Sequence, residues 1–420
     1  MRRLLSELQR VVAAPSRNPR MAVVLGRLLA IAFLLCFGTG LYSHFLQEPL
    51  PWMRFPTRPE GLYQLTQGIH ITAGIACFPL ILGKLYTVFP ELFQTPPLKG
   101  FVHLLERASI AIFVGASLVQ ITIGLLNTYQ WYPWPFGFRE VHFALSFVVI
   151  GSLAIHIAVK LPVISRFWTK RRAELAFAED TAEAEAELEA EPLDGKTATD
   201  ARPVGGVTGR VLRWIDDTPA PEPVASRRGF LGVIGFSTLA VVVLTAGQSF
   251  AFLRPSNLFA PRAQGIGPQN LPVNRTAEAA QVTVSAVAPN WRLSVRNGET
   301  QITLTRDELL ALPQTAVELP IACVEGWSQT ASWRGVRIKD LAAAVGASQD
   351  RALRITSLEK EGGYRVTTMG PEYVGDDSTL VALELNGETL DIDHGYPARI
   401  IAPGRPGVLQ TKWLSSLEVL

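Results

Sequence analysis

Residues 229–253, GFLGVIGFSTLAVVVLTAGQSFAFL, run without one charged side chain and follow directly on Arg227 and Arg228. An apolar run of this length predicts a helix that crosses the hydrocarbon core of a bilayer, for which roughly 20 residues suffice. The sequence differs in kind on its two sides. Upstream, sparsely charged apolar runs recur at 28–45, 68–89, 108–129 and 141–159, so five crossings are expected. Arg2, Arg3, Arg10, Arg17 and Arg20 precede the first run, and Lys160, Arg166, Lys170, Arg171 and Arg172 follow the fourth. Cytoplasmic flanks carry the excess of Lys and Arg, so all three basic clusters are expected in the cytoplasm. An odd number of crossings then places everything beyond Leu253 outside. The expectation is a multi-pass protein of the cytoplasmic membrane, with a cytoplasmic N-terminus and an extracytoplasmic C-terminal domain.

Composition agrees with a chain that is partly in lipid: 420 residues, 48% hydrophobic, 18% charged. A net charge of +2 is too small for the basic face that nucleic acid requires, so that partner is excluded. Cys36, Cys77 and Cys323 form no disulfide framework and no CxxC metal motif. The expected organisation is a cytoplasmic segment over 1–20, a four-helix membrane domain over 21–165, a cytoplasmic linker over 166–226, a fifth helix over 227–254 and a soluble domain over 255–420. The linker, AELAFAEDTAEAEAELEAEPLDG followed by a Pro-rich stretch, has no apolar period and reads as a solvated, disordered or loosely helical tether.

Five histidines, His44, His70, His103, His142 and His156, lie in or at the ends of the first four runs, where ionisable groups are costly enough to suggest function. His142 and His156 share a helix, about 40° apart in projection and about 21 Å apart along its axis, one face at two depths. Stacked haems need axial ligands at two such levels. His70 is the expected partner of His142, and His103 that of His156; His44 is an alternative to His70 or a quinone contact. This placement resembles the cytochrome b subunits of membrane-bound respiratory dehydrogenases and the haem partner of the periplasmic methionine sulfoxide reductase. It implies one or two b-type haems and exchange of electrons with quinone or quinol. SRRGFLG at 226–232 resembles the twin-arginine export signal, which implies a domain folded around a cofactor before export.

Beyond Arg254 the texture becomes that of a soluble domain. Short β-rich runs, QVTVSAV, WRLSV, QITLT, LRITSL, YRVTTM, TLVALEL and ARIIA, are broken by Gly, Pro, Asn and Asp, with a short helix expected over 338–345. Three passages carry a likeness: ACVEGWSQTASWRGVRIKDL at 322–341, LNGETLDIDHGYPARIIAPGRPG at 385–407, and KWLSSLEVL at 412–420. In this order and spacing they resemble the molybdenum-cofactor domain of the sulfite oxidase superfamily, and most closely its periplasmic methionine sulfoxide reductase branch. The resemblance implies a mixed α+β, mostly β, molybdopterin-binding fold with Cys323 as molybdenum ligand. A soft thiolate suits such a metal, and Cys323 is the only cysteine of this domain. The resemblance further implies that His394, Arg399 and Lys412 bind the pterin phosphate. Gly395, Gly404 and Gly407 would admit the cofactor closely, and Asn274 and Arg275 would begin its contacts.

Sulfite oxidases follow the ligand cysteine with a Gly-Asn-Arg type run; here stand Val324, Glu325, Gly326 and Trp327. An acidic, aromatic surround suits a dianion poorly, so sulfite is not expected, and Glu325 and Trp327 are expected to shape the substrate side. The chain stops at Leu420, and a monomer is expected. The resemblance implies two-electron, oxygen-atom-transfer chemistry on a small molecule such as a sulfoxide or N-oxide. A dehydrogenase running in the opposite direction and a non-catalytic tethered binding module remain as alternatives.

Overall fold

A computed structural model of the protein describes residues 19–89, 100–190 and 227–420. Six helices come first: α1 Pro19–Gln47, α2 Leu62–Val88, α3 Phe101–Thr128, α4 Phe138–Arg166, α5 Lys170–Ala190 and α6 Arg227–Thr245. All but α5 contain a span long and apolar enough to cross a membrane, as the sequence predicts. Close contacts divide the described residues into two compact units. One draws on residues 19–34, 76–89, 100–123, 139–190 and 227–240, the other on Leu35–Ile75, Gly124–Phe138 and Val241–Leu420.

In the first unit the helices other than α5 are apolar all round, as expected of segments that face both protein and lipid. Leu25, Leu29, Ala32 and Phe33 of α1 are buried with Cys77, Leu80, Ile81, Phe113, Val149 and Leu153, whereas Leu28, Ile31 and Leu34 are exposed. The start of the acidic linker differs from the expected tether. Its Ala- and Glu-rich composition favours helix, and α5 buries Ala173 and Ala176 against Val23 and Phe167. Arg166 donates to Asp180 at 2.7 Å. The remainder of the linker, and Ser226 of the twin-arginine motif, lie outside the described residues.

The apolar run 229–253 is not one helix to its end. After Thr245 the chain tightens into 3-10 turns at Ala246–Gln248 and Ala251–Ser256. Gly247 permits this, since a Cβ there would stand 2.5 Å from the Leu253 carbonyl oxygen.

The rest of the second unit contains two five-stranded sheets. The first has the order β2-β1-β10-β5-β6, formed by β1 Leu293–Asn297, β2 Thr300–Leu304, β5 Leu353–Ser357, β6 Val366–Met369 and β10 Leu414–Val419. Its β1 and β10 are parallel, with Val295 opposite Leu417. The second joins β3 Thr315–Ala322, β4 Ser328–Arg337, β7 Leu380–Leu385 and β8 Glu388–Thr389 in that order, with β9 Arg399–Ile401 also paired to β7. Because side chains alternate across a strand, β7 serves two cores, and a register shift at Leu383 brings Leu385 to the face of Leu380 and Ala382. Val381 and Leu383 pack with Val295, Ile355 and Leu417 of the first sheet, while Leu380, Ala382 and Leu385 pack with Ile321, Cys323, Trp327 and Trp333.

Four short helices complete the domain: α7 Thr283–Ala286, α8 Arg306–Ala311, α9 Ile338–Ala344 and α10 Pro371–Val374. QVTVSAV is thus a helical turn rather than the expected strand. Val282 and Ala286, four residues apart, are buried together with Ala277, Ala280 and Trp413, and Val284 between them is 82% exposed. A helix puts positions i and i+4 on one face, which a strand also does, but only the helix brings them within a single turn against the same neighbours.

Candidate functional site

Cys323 is the first residue of the five-residue connection between β3 and β4, just beyond the Ala322–Ser328 pair that closes the ladder. Its N–H donates to the Trp327 carbonyl at 2.9 Å, and the Gly326 N–H donates to the Cys323 carbonyl at 3.0 Å. Gly326 adopts φ +98°, a left-handed conformation that suits glycine. The thiol is buried, and burial, followed by the charge of Glu325, pushes it up from its ordinary value; Lys412 and Arg262 oppose the shift. On the far side, a Cβ on Gly407 would stand 2.9 Å from the Ala322 carbonyl oxygen and 3.3 Å from the Cys323 Cα.

The tip is held from outside the sheet. The Val324 carbonyl accepts from Gln67 of α2 and from Asn127 of α3, both at 3.3 Å. The Gly326 carbonyl accepts from the Ser249 hydroxyl. Glu325 accepts from the Gln130 amide and, at 3.2 Å, from the Trp327 indole N–H. Arg262 lies 4.0 Å from the same carboxylate. Burial raises the Glu325 carboxyl above the usual range, against the pull of Gln130 and Arg262. Both Glu325 and Trp327, expected on the substrate side, are therefore buried within the network that shapes the loop.

The expected pterin residues form a second cluster. Lys412 donates to the Asn274 side chain at 3.0 Å, to the Arg275 carbonyl at 2.5 Å and to the Asp393 carbonyl at 2.9 Å. Arg399 donates to the carbonyls of His394 at 2.9 Å and Gln410 at 3.2 Å, and its guanidinium lies 5.0 Å from the Trp333 ring centroid. His394 donates from Nε2 to the Pro268 carbonyl at 2.8 Å. Burial and Arg399 lower its pKa to about 4, so the ring is neutral at ordinary pH. Gly395, at φ +107°, lets Arg399 and Lys412 close on it, since a Cβ there would be 3.0 Å from the Cβ of each. Gly404, at φ +68°, stands over the Pro56 carbonyl. The close approach that Gly395, Gly404 and Gly407 permit is thus to protein. Arg275 pairs with Glu359 at 2.9 Å.

Arg399 is buried and Lys412 partly buried, and neither has an ion-pair partner among the described residues. Burial lowers Arg399 to about 9, and burial with the Arg399 charge lowers Lys412 to about 7. Such a surplus of buried positive charge is what a phosphate-bearing ligand relieves, so the residues fit an anionic cofactor beside the thiol. Sequence reading missed Arg405, buried and bonded to the carbonyls of Leu409 and Thr368 at 3.0 and 2.9 Å. Its signal was the GRPG turn.

The histidines occupy varied settings. His70 Nδ1 donates to the Cys36 carbonyl at 2.8 Å, which leaves the lone pair on Nε2, the tautomer a metal ligand needs. Gly40 makes room for the ring, as a Cβ there would be 2.9 Å from its Cε1. His156 stacks on Phe113, centroids 6.2 Å apart, and its buried Nδ1 has no hydrogen-bond partner among the described residues. The His142 carbonyl accepts from Gln120 at 2.9 Å. His103, expected just ahead of the third helix, lies inside its first turn. His44 is 3.8 Å from Glu48, the first residue past the end of its helix.

Residues 279–420 match the family described as "Oxidoreductase molybdopterin binding domain". This segment is a molybdopterin-binding domain. The chain is 33% identical over 113 residues to sulfite oxidase of Arabidopsis thaliana, covering 23% of this chain and 29% of the relative. It is 30% identical over 116 residues to an uncharacterized oxidoreductase of Bacillus subtilis, covering 27% and 57%. It is also 30% identical over 115 residues to a putative protein-methionine-sulfoxide reductase subunit of Azospira oryzae, covering 27% and 43%. The chain thus spans 29–57% of the length of these relatives. The helices ahead of the molybdopterin-binding domain fit a membrane anchor.

Proposed function

We propose that this chain is a membrane-bound molybdenum-cofactor oxidoreductase that passes electrons between quinol and a small oxygen-bearing substrate, a sulfoxide or N-oxide, outside the cytoplasm. The observation that carries the reading is one buried thiol, Cys323, with two cations without carboxylate partners among the described residues, the buried Arg399 and the partly buried Lys412, in a molybdopterin-binding domain joined to apolar helices.

Bound molybdenum supplies two-electron chemistry; the protein supplies ligation, orientation and wiring. Cys323 would tie the metal as thiolate, which requires loss of its proton on binding, because burial alone holds the thiol neutral. Arg399 and Lys412 would neutralise the pterin phosphate, with Asn274, Arg275 and neutral His394 positioned around it by the bonds above. Glu325 and Trp327 would set the shape of the loop that meets substrate. His70, His142, His103 and His156 would hold one or two b-type haems, which would supply one-electron transfer. The Nδ1–H tautomer of His70 and the buried Nδ1 of His156, without a hydrogen-bond partner among the described residues, support these ligand roles. Arg227 and Arg228 would direct export of the folded domain, placing it outside.

The printed name of the Azospira oryzae relative favours the reducing direction, and that of the Arabidopsis thaliana relative favours an oxidase running the other way. The deciding experiment measures molybdenum and iron per chain in the detergent-purified protein, with its reduced-minus-oxidised spectrum, for the unsubstituted chain and for Cys323→Ser. Molybdenum near one per chain, lost in Cys323→Ser, supports the assignment. Full molybdenum content and normal turnover in Cys323→Ser refutes it.

A further inference from the structure

Each of the three residues at the tip of the Cys323 loop, Val324 to Gly326, is held by a side chain from an apolar helix or the segment flanking one. Gln67 and Asn127 hold Val324, Gln130 holds Glu325, and Ser249 holds Gly326. Gln130 is the junction. It follows α3 with φ +55°, a conformation rare for a non-glycine residue and kept only where its surroundings enforce it. Its amide is saturated: Nε2 donates to Glu325 and, at 2.6 Å, to the Asn274 carbonyl, while Oε1 accepts from Arg262 at 2.5 Å. Asn274 in turn accepts from Lys412 at 3.0 Å. One side chain therefore links the loop that bears the thiol to Asn274, and through it to Lys412.

We infer that the molybdenum site is completed by the membrane anchor, with Gln130 the positioning residue that fixes the Cys323 loop relative to the phosphate-binding cluster. The inference rests on the function proposed above and adds to it that the molybdopterin-binding domain alone lacks part of its own site. A neutral amide between a buried carboxylate and a buried carbonyl can satisfy both, which neither an apolar nor an acidic side chain does. Arg262 then balances the charge of Glu325 without donating to it.

The test uses the full chain in detergent, with molybdenum content and the Mo(V) paramagnetic signal as readouts and dimethyl sulfoxide as probe substrate. Gln130→Leu is expected to displace the signal or lower molybdenum per chain, and to reduce turnover about tenfold or more through misplacement of the loop. Gln264 donates to the Ser328 carbonyl at 2.7 Å, beyond the tip, so Gln264→Leu is expected to leave the signal in place. The pair Gln130→Glu with Glu325→Gln exchanges amide and carboxylate, and is expected to recover more of the signal than either change alone. An unaltered signal and full metal in Gln130→Leu, or equal disturbance by Gln264→Leu, overturns the inference while leaving the proposed function intact. Absence of molybdenum from the unsubstituted chain overturns both.

Discussion

Gly407 lies directly behind Cys323: a single methyl group on it would stand 3.3 Å from the Cys323 Cα and 2.9 Å from the preceding carbonyl oxygen. The turn after β9 thus packs against the end of β3 and sets how far the thiol projects.

Gly407→Ala is therefore expected to push the Cys323 backbone aside. Overpacking of this kind costs about 1–3 kcal/mol, and the displaced thiol should hold less molybdenum. Thermal unfolding and metal analysis of the same preparation check both parts; unchanged metal content with unchanged stability contradicts the prediction.

Lys412 gives a pH prediction for the cofactor-free protein. Its folded pKa is lowered to about 7 from an ordinary 10.5. Between these values the unfolded chain holds the proton more readily, so stability rises with pH across that window. The burden of the buried charge is fully present below about 7 and gone above 10.5. Lys412→Met should remove this slope, up to about 1.4 kcal/mol per pH unit. Unfolding of both proteins from pH 7 to pH 9 tests it, and a difference that stays constant with pH counts against it.

His142→Ala should abolish the absorbance of one haem if His142 is an axial ligand, leaving the molybdenum content of the molybdopterin-binding domain unchanged. The reduced-minus-oxidised spectrum reads the first and metal analysis the second. An identical spectrum removes His142 from the ligand set.

A control lies outside the Cys323 loop and the cation cluster. Thr305 caps α8, accepting from the Glu308 N–H at 3.1 Å while the Glu308 side chain accepts from the Thr305 N–H at 2.7 Å. Thr305→Ala should cost about 1 kcal/mol with molybdenum retained, as measured by thermal unfolding and metal analysis. Loss of the metal would mean that α8 bears on the site.

The five apolar crossings were legible because lipid imposes composition over a long window, and most strands of the β domain because alternation repeats within a few residues. β3 and β4, which carry Cys323 between them, went unread as strands although Val317, Leu319 and Ile321 alternate; Pro320 and Gly335 interrupt the pattern. QVTVSAV misled because β-branched residues are as easily spent on one buried helical turn. Cys323, Arg399 and Lys412 were singled out through motif order. Gln67, Asn127, Gln130 and Arg262 were not, since each is an ordinary polar residue whose partner lies far away in sequence, 195 positions in the case of Gln130 and Glu325. Nothing local marks such a residue; only the fold brings the pair together.

The parallel pairing of β1 with β10 sets an order of events during synthesis. β10 lies in the middle of its sheet, with β1 on one side and β5 on the other, so the β1–β2 and β5–β6 pairs cannot join into one sheet while residues 414–419 are still inside the ribosome. The helices ahead of it have by then emerged. That sheet must wait in two pieces until translation has passed β10, and a nonsense codon placed even at Lys412 would split it through the middle rather than fray its end.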